Sequence, residues 1–185
     1  CNLRCAHCFL PAPTPTQRDL PLAAARRLID TLADQGVLFL LMTGGELTLR
    51  PDWPILYRQA VQRGFLVTLM TNATRIDSAF LRVLRRHPPR HIETTIYGRT
   101  AATYDAVTGR TGAFARFQAG LARLRAARLP LRLKMLVTRT NVHELNAIRD
   151  WAGQEDIPFR YDAIINPRID GHPGPIAERI PPSRM

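Results

Sequence analysis

Beyond residue 8 this 185-residue chain has no cysteine at all. Its three cysteines, Cys1, Cys5 and Cys8, crowd into the first eight positions, so a framework of disulfides spread along the fold is excluded. No apolar run is long enough to cross a bilayer, which leaves no membrane partner to expect. Lysine is nearly absent too: the formal charge of +11 comes from 25 arginines and the single Lys134 against 15 acidic residues. That balance raises nucleic acid or an acidic partner. The arginines are, however, spread along the whole chain, and no basic run alternates with aromatics as single-strand binding would favour, so nucleic acid is the minority reading. The remaining histidines, His87, His91, His143 and His172, are scattered and supply no second ligand pair for a structural zinc.

What is present begins with Cys1-Asn2-Leu3-Arg4-Cys5-Ala6-His7-Cys8. Thiolates bunched this tightly read as ligands of a metal centre. An iron–sulfur cluster that only transfers electrons is closed by four cysteines, whereas three leave one position open, as a catalytic metal site does for its substrate. His7 adjoins Cys8 and reads as a packing or hydrogen-bonding neighbour. The alternative is a zinc-stapled basic module for nucleic acid, in which the same thiolates are structural.

The rest alternates helix and strand signals. Amphipathic or helix-like stretches at 20–35, 52–63, 78–86, up to about 128, and 142–153 separate apolar or β-rich runs near 37–42, 65–70, 91–97, 131–138 and 159–165. Asp19 is the expected N-cap of the first helix and Asn141 that of the last. The run Val37 to Met42 is expected as a strand buried on both faces. Such alternation implies a parallel sheet with ligands at the strands' C-terminal ends. At the first such end stands Thr43-Gly44-Gly45-Glu46, where two glycines allow close backbone approach and Glu46 can pair with a cation. At the second, Thr71-Asn72-Ala73-Thr74 carries an alanine where the turn either avoids a positive φ or tolerates its cost. Pro11-Ala12-Pro13-Thr14-Pro15 is expected to be irregular. Residues 167–185, rich in proline and glycine, read as a linker.

The cysteine spacing, the Gly-Gly-Glu turn and the βα order together resemble the core of the radical S-adenosylmethionine (SAM) superfamily, most closely its SPASM- or twitch-containing, peptide-modifying branch. The resemblance implies an α/β fold, a partial (βα)6 TIM-like barrel occupying 1–166, here expected to hold strands two to six. It implies that Cys1, Cys5 and Cys8 bind a 4Fe–4S cluster and that Gly44, Gly45 and Glu46 bind SAM, Glu46 meeting its ammonium group. Thr95 holds the position of a small hydroxyl residue near the SAM ribose. Lys134 and Asn141 match positions common in that branch. The implied activity is reductive cleavage of SAM to a 5′-deoxyadenosyl radical that abstracts hydrogen from a substrate, possibly a ribosomal peptide. An external electron donor and a cytoplasmic setting go with it.

Overall fold

The computed structural model describes residues 1–11 and 19–181. Most of the irregular stretch expected at 11–15 therefore lies outside the described residues.

Five parallel strands make one sheet in the order β1-β2-β3-β4-β5. They are β1 (Phe39–Met42), β2 (Leu66–Thr71), β3 (His91–Thr95), β4 (Leu131–Leu136) and β5 (Phe159–Asp162). Helices α1 (Leu22–Asp34), α2 (Trp53–Gln62), α3 (Ser78–Arg86), α4 (Ala101–Thr108), α5 (Ala113–Ala126) and α6 (Leu145–Gln154) precede or connect them. Strand order equal to chain order, with a helical crossover at each step, is the α/β partial barrel expected from the alternation.

Pairing register decides which side chains meet the helices. Leu40 and Met42, Val67, Leu69 and Thr71, Ile92 and Thr94, and Leu133 and Met135 share one face. Leu69, Ile92, Leu133 and Met135 on that face are fully buried. Against them pack Tyr57, Leu84, Tyr104, Phe117, Leu124 and Ile148. Burying each such side chain contributes about 1.5–3 kcal/mol. The Tyr57 hydroxyl donates to the His87 carbonyl at 2.5 Å, so this large side chain enters the core with its polar end satisfied.

Three local expectations need correction. The run 37–42 is not buried on both faces: β1 is an edge strand, and Phe39 and Leu41 point away from the helices, 60% and 53% exposed. Asp19 does not cap α1, which starts after Pro21 without a side-chain cap. Asn141 caps no helix either. Its carboxamide oxygen accepts from the Thr138 amide at 2.7 Å and its nitrogen donates to the Leu136 carbonyl at 3.1 Å, closing the turn that leaves β4. The stretch around 101–108 is a helix of its own. Thr100 caps it, Gly109 ends it in the left-handed region, and the Asp105 carboxylate then accepts from the Gly112 and Phe114 amides to start α5.

Ala73 does adopt a positive φ, +57°, and so tolerates the cost. Its carbonyl lies only 1.8 Å from where a side chain on Gly120 would begin, so α5 touches this turn through a bare backbone. The proline-rich segment expected as a linker lies against the core as far as Pro181: Pro175 and Ile180 are buried, and the Arg139 amide donates to the Glu178 carbonyl at 2.9 Å.

Candidate active site

The strands' C-terminal ends converge on the cysteine loop. Two backbone bonds dock the loop on the end of α4, from the Arg4 amide to the Thr108 carbonyl and from the Ala6 amide to the Val107 carbonyl, at 2.9 and 3.2 Å. Leu3 is buried beneath it. Asn2 ties it to the turn after β2: its amide nitrogen donates to Thr74 Oγ1 at 2.7 Å, and Asn72 Nδ2 donates to its oxygen at 2.9 Å. Asn72 Oδ1 in turn accepts from the Thr74 amide and hydroxyl. Cys1 rests on the Gly-Gly-Glu turn, where a Cβ on Gly45 would sit 2.9 Å from the Cys1 Cβ. Only glycine permits that approach, and the Gly45 position expected from the sequence is therefore explained by contact with the cysteine loop. Gly44 beside it has open space where a side chain would be.

Glu46 is buried, 6% exposed. Its Oε1 accepts from the Thr48 amide, the Thr48 hydroxyl and the Thr71 hydroxyl at 3.1, 2.8 and 2.8 Å. Its Oε2 accepts from the Asn72 amide at 2.7 Å. The carboxylate thus joins the ends of β1 and β2, and Oε2, with a single protein donor, keeps capacity for another.

On the opposite side of the loop, Tyr97 follows β3. Its hydroxyl faces the Cys5 thiol and Thr95. Burial, with Cys5 nearby, raises the Tyr97 pKa well above the ordinary phenol value. Burial also pushes Cys5 up to about 11, Tyr97 partly opposing this and Cys8 adding to it. His7 stacks obliquely on Tyr97 with ring centroids 5.1 Å apart. Burial lowers its pKa to about 4, so the ring is neutral, and its buried Nδ1 has no partner among the described residues. Thr95 itself is half-buried at the end of β3 and in register with Lys134.

Two groups of residues in this region carry no obvious sequence motif. Asn2 was hidden because its partners lie about 70 residues away. Glu144, 8% exposed, accepts from the Arg99 amide and from the Thr100 and Thr103 hydroxyls, the latter two at 2.8 and 2.7 Å. Burial alone would raise its pKa, but the bonds from Thr103, Arg99 and Thr100 outweigh it and hold the carboxyl below the usual range. This pins the loop after β3, a few residues from Tyr97, to the turn after β4.

The donor set fits an iron–sulfur cluster. All three thiols are free, lie on one docked loop and have a Gly45 cradle and the unpartnered His7 Nδ1 beside them. Among the described residues no three His, Cys, Asp or Glu side chains gather around a single point. A groove of about 520 Å³ runs along α3 among Ser78, Leu81, Arg82, Arg85 and Arg86. No helix among the described residues is long and apolar enough to cross a membrane.

The family model of the radical SAM superfamily matches residues 1–152. An AdoMet-dependent heme synthase from Methanosarcina barkeri is 32% identical over 146 residues, 78% of this chain and 42% of that protein. A PqqA peptide cyclase from Ruegeria pomeroyi is 34% identical over 146 residues, 78% of this chain and 39% of its own length. The mycofactocin maturase MftC of Mycobacterium tuberculosis is 30% identical over 161 residues, covering 86% of this chain and 41% of that protein. Among solved structures, Streptococcus suis SuiB superposes with a TM-score of 0.77 at 19% identity, covering 93% of this chain and 39% of that one. The structure of anSMEcpe with bound AdoMet and a peptide gives a TM-score of 0.73 at 15% identity, with 87% and 47% covered. The chain thus spans about two fifths of the length of these curated relatives. With the family model covering most of its length, the chain belongs to the radical SAM superfamily of enzymes, which use a 4Fe–4S cluster and SAM, and its likeness extends to the peptide-modifying branch.

Proposed function

We propose that this chain is the catalytic core of a radical SAM enzyme acting on a peptide, with Cys1, Cys5 and Cys8 holding the cluster. Bound there, the cluster supplies the electron that cleaves SAM reductively to methionine and a 5′-deoxyadenosyl radical, which takes a hydrogen atom from the substrate. The observation that carries this reading is the meeting of the cysteine loop with the Gly-Gly-Glu turn, Cys1 resting on Gly45.

This chain's residues then have separable tasks. Asn2 and the backbone of Arg4 and Ala6 hold the loop in place before any ligand arrives. Gly44 and Gly45 leave backbone open to the methionine end of SAM, and Glu46 offers Oε2 to its ammonium group. Thr95 would face the ribose. Tyr97, with His7 stacked on it, packs beside Cys5, and the cost of burying that thiolate would be offset once it is a ligand. An external reductant supplies the electron. The peptide substrate is favoured by likeness to PqqA peptide cyclase and MftC.

The test is anaerobic reconstitution with iron and sulfide, followed by electron paramagnetic resonance of the reduced protein with and without SAM. A reduced 4Fe–4S spectrum that changes on adding SAM is expected; a spectrum indifferent to SAM would overturn the reading. Replacing any one of the three cysteines by serine should abolish cluster binding, measured as iron per chain. Glu46→Gln should weaken SAM binding about tenfold while iron content is kept, because it removes the charge that faces the ammonium.

A further inference from the structure

The sheet face turned away from the helices is divided. In register, its rows are Leu41, Thr68 and His91; then Met70, Glu93 and Arg132; then Thr95, Lys134 and Arg160; then Leu136 and Asp162. On β1 and β2 it is apolar, with Phe39, Leu41 and Leu66 at 60%, 53% and 48% exposure. On β4 and β5 it is cationic. Glu93, 8% exposed, stands in register with Arg132, yet Arg160 takes both its oxygens by reaching across β4, at 2.9 and 2.5 Å. Among the described residues that leaves Lys134 with no hydrogen bond or ion pair, although it is half-buried.

Lys134 stands one strand away from residues that border the cysteine loop. It pairs in register with Thr95, which borders Tyr97, and Tyr97 faces Cys5. An ammonium held half-buried without a counter-ion is costly, and an incoming carboxylate relieves that cost where a neutral amide does not. We propose that Lys134 determines substrate specificity, by holding a carboxylate side chain of an extended peptide whose apolar side chain rests on Leu41 and Leu66. This deepens, and rests on, the reading of the strand ends as the reacting centre.

The sheet sets the spacing of the two anchors. From β1 to β4 is three interstrand steps, roughly 14 Å, and Lys134 stands four residues beyond Leu41 along the strands, roughly another 13 Å, so the two anchors lie about 19 Å apart. An extended chain advances about 3.4 Å per residue, so the apolar and acidic residues should stand about six positions apart.

Lys134 is the only lysine in the chain, which makes it its own reporter. The probes are N-acetyl-Leu-Ser-Gly-Ala-Ser-Gly-Glu-amide and its twin ending in Gln-amide, offered to the full chain with and without reconstituted cluster. Acylation of Lys134 by an amine-reactive ester is followed by mass spectrometry. The Glu peptide should slow it about fivefold, saturably, and the Gln peptide should not. By calorimetry, Lys134→Met should erase the preference for the Glu peptide and Lys134→Arg should retain it, both with unchanged SAM affinity. Equal protection by the two peptides, or none, overturns the proposal. So does loss of SAM affinity in Lys134→Met, which would assign the lysine to the cofactor, or protection by a porphyrin propionate but not by the peptide. Glu-selective protection in a chain that assembles no cluster would sink the reading of the site and leave the carboxylate subsite standing.

Discussion

The two faces of the sheet are made from the same five strands and behave as two different materials. Toward the helices, Leu69, Ile92, Thr94, Leu133 and Met135 are fully buried and neighbour one another in register. Away from them, each strand contributes a different chemistry: leucines and a phenylalanine on β1 and β2, an acid on β3, and lysine or arginine on β4 and β5. Phe39 is not simply bare, since the Arg90 guanidinium lies over its ring at 4.7 Å. The contrast teaches that stability and recognition are divided between alternate residues of one strand. The helix side contributes close packing, and the open side is free to carry charge.

The comparison predicts its own largest effect. Leu133→Ala, on the packed face, should cost about 2–5 kcal/mol in denaturant unfolding, because the helices above cannot close the cavity. A loss below about 1 kcal/mol would mean that this face is loosely packed. Next in size, Glu93→Gln removes the charged acceptor of Arg160. It should cost about 1 kcal/mol or less, discounted because the Arg160 side chain is 55% exposed. Double-mutant analysis with Arg160→Met isolates that pair.

The acid limb of stability should carry the mark of Glu144. Its carboxyl is held below the ordinary value of 4.5, so its contribution is present at neutral pH and is lost as pH falls through and below that value. Urea midpoints for the wild type and Glu144→Gln, compared from pH 6 to pH 3, should therefore converge toward the acid end. Midpoints that run parallel would refute it. The smallest effect belongs to the open face again: Leu41→Ala should change stability by less than about 0.5 kcal/mol. A large loss there would mean that this side chain is part of the core after all.

Much of the fold was legible because its signals are local. Ser78–Arg86 was expected as a helix over those same residues, and the five strands fell within two or three residues of their places. Elements whose cues depend on distant partners were not. The helix at Ala101–Thr108 escaped notice because Asp105, which reads as an ordinary helical acid, is spent on capping the next helix. Asn141 looked like a cap because that is what asparagine before a helix usually does, and here a strand end took its carboxamide instead. At the site, the cysteine loop and Gly-Gly-Glu turn stood out because their glycines and thiols are chemically special. Asn2 and Glu144 did not, being ordinary polar residues until something 40 to 70 residues away binds them.

By itself the sequence determined the alternation of strand and helix, the bunching of all three thiols, and the placing of glycines and an acid at a strand's end. Each of these is written in neighbouring residues: side-chain period, ligand spacing, turn chemistry. Only the tertiary structure decided which alternate residues of each strand meet the helices. A one-residue change of register would exchange the two faces, and no strand can fix its register alone. It likewise decided that Arg160 rather than Lys134 holds Glu93, which leaves the chain's one lysine without a partner among the described residues.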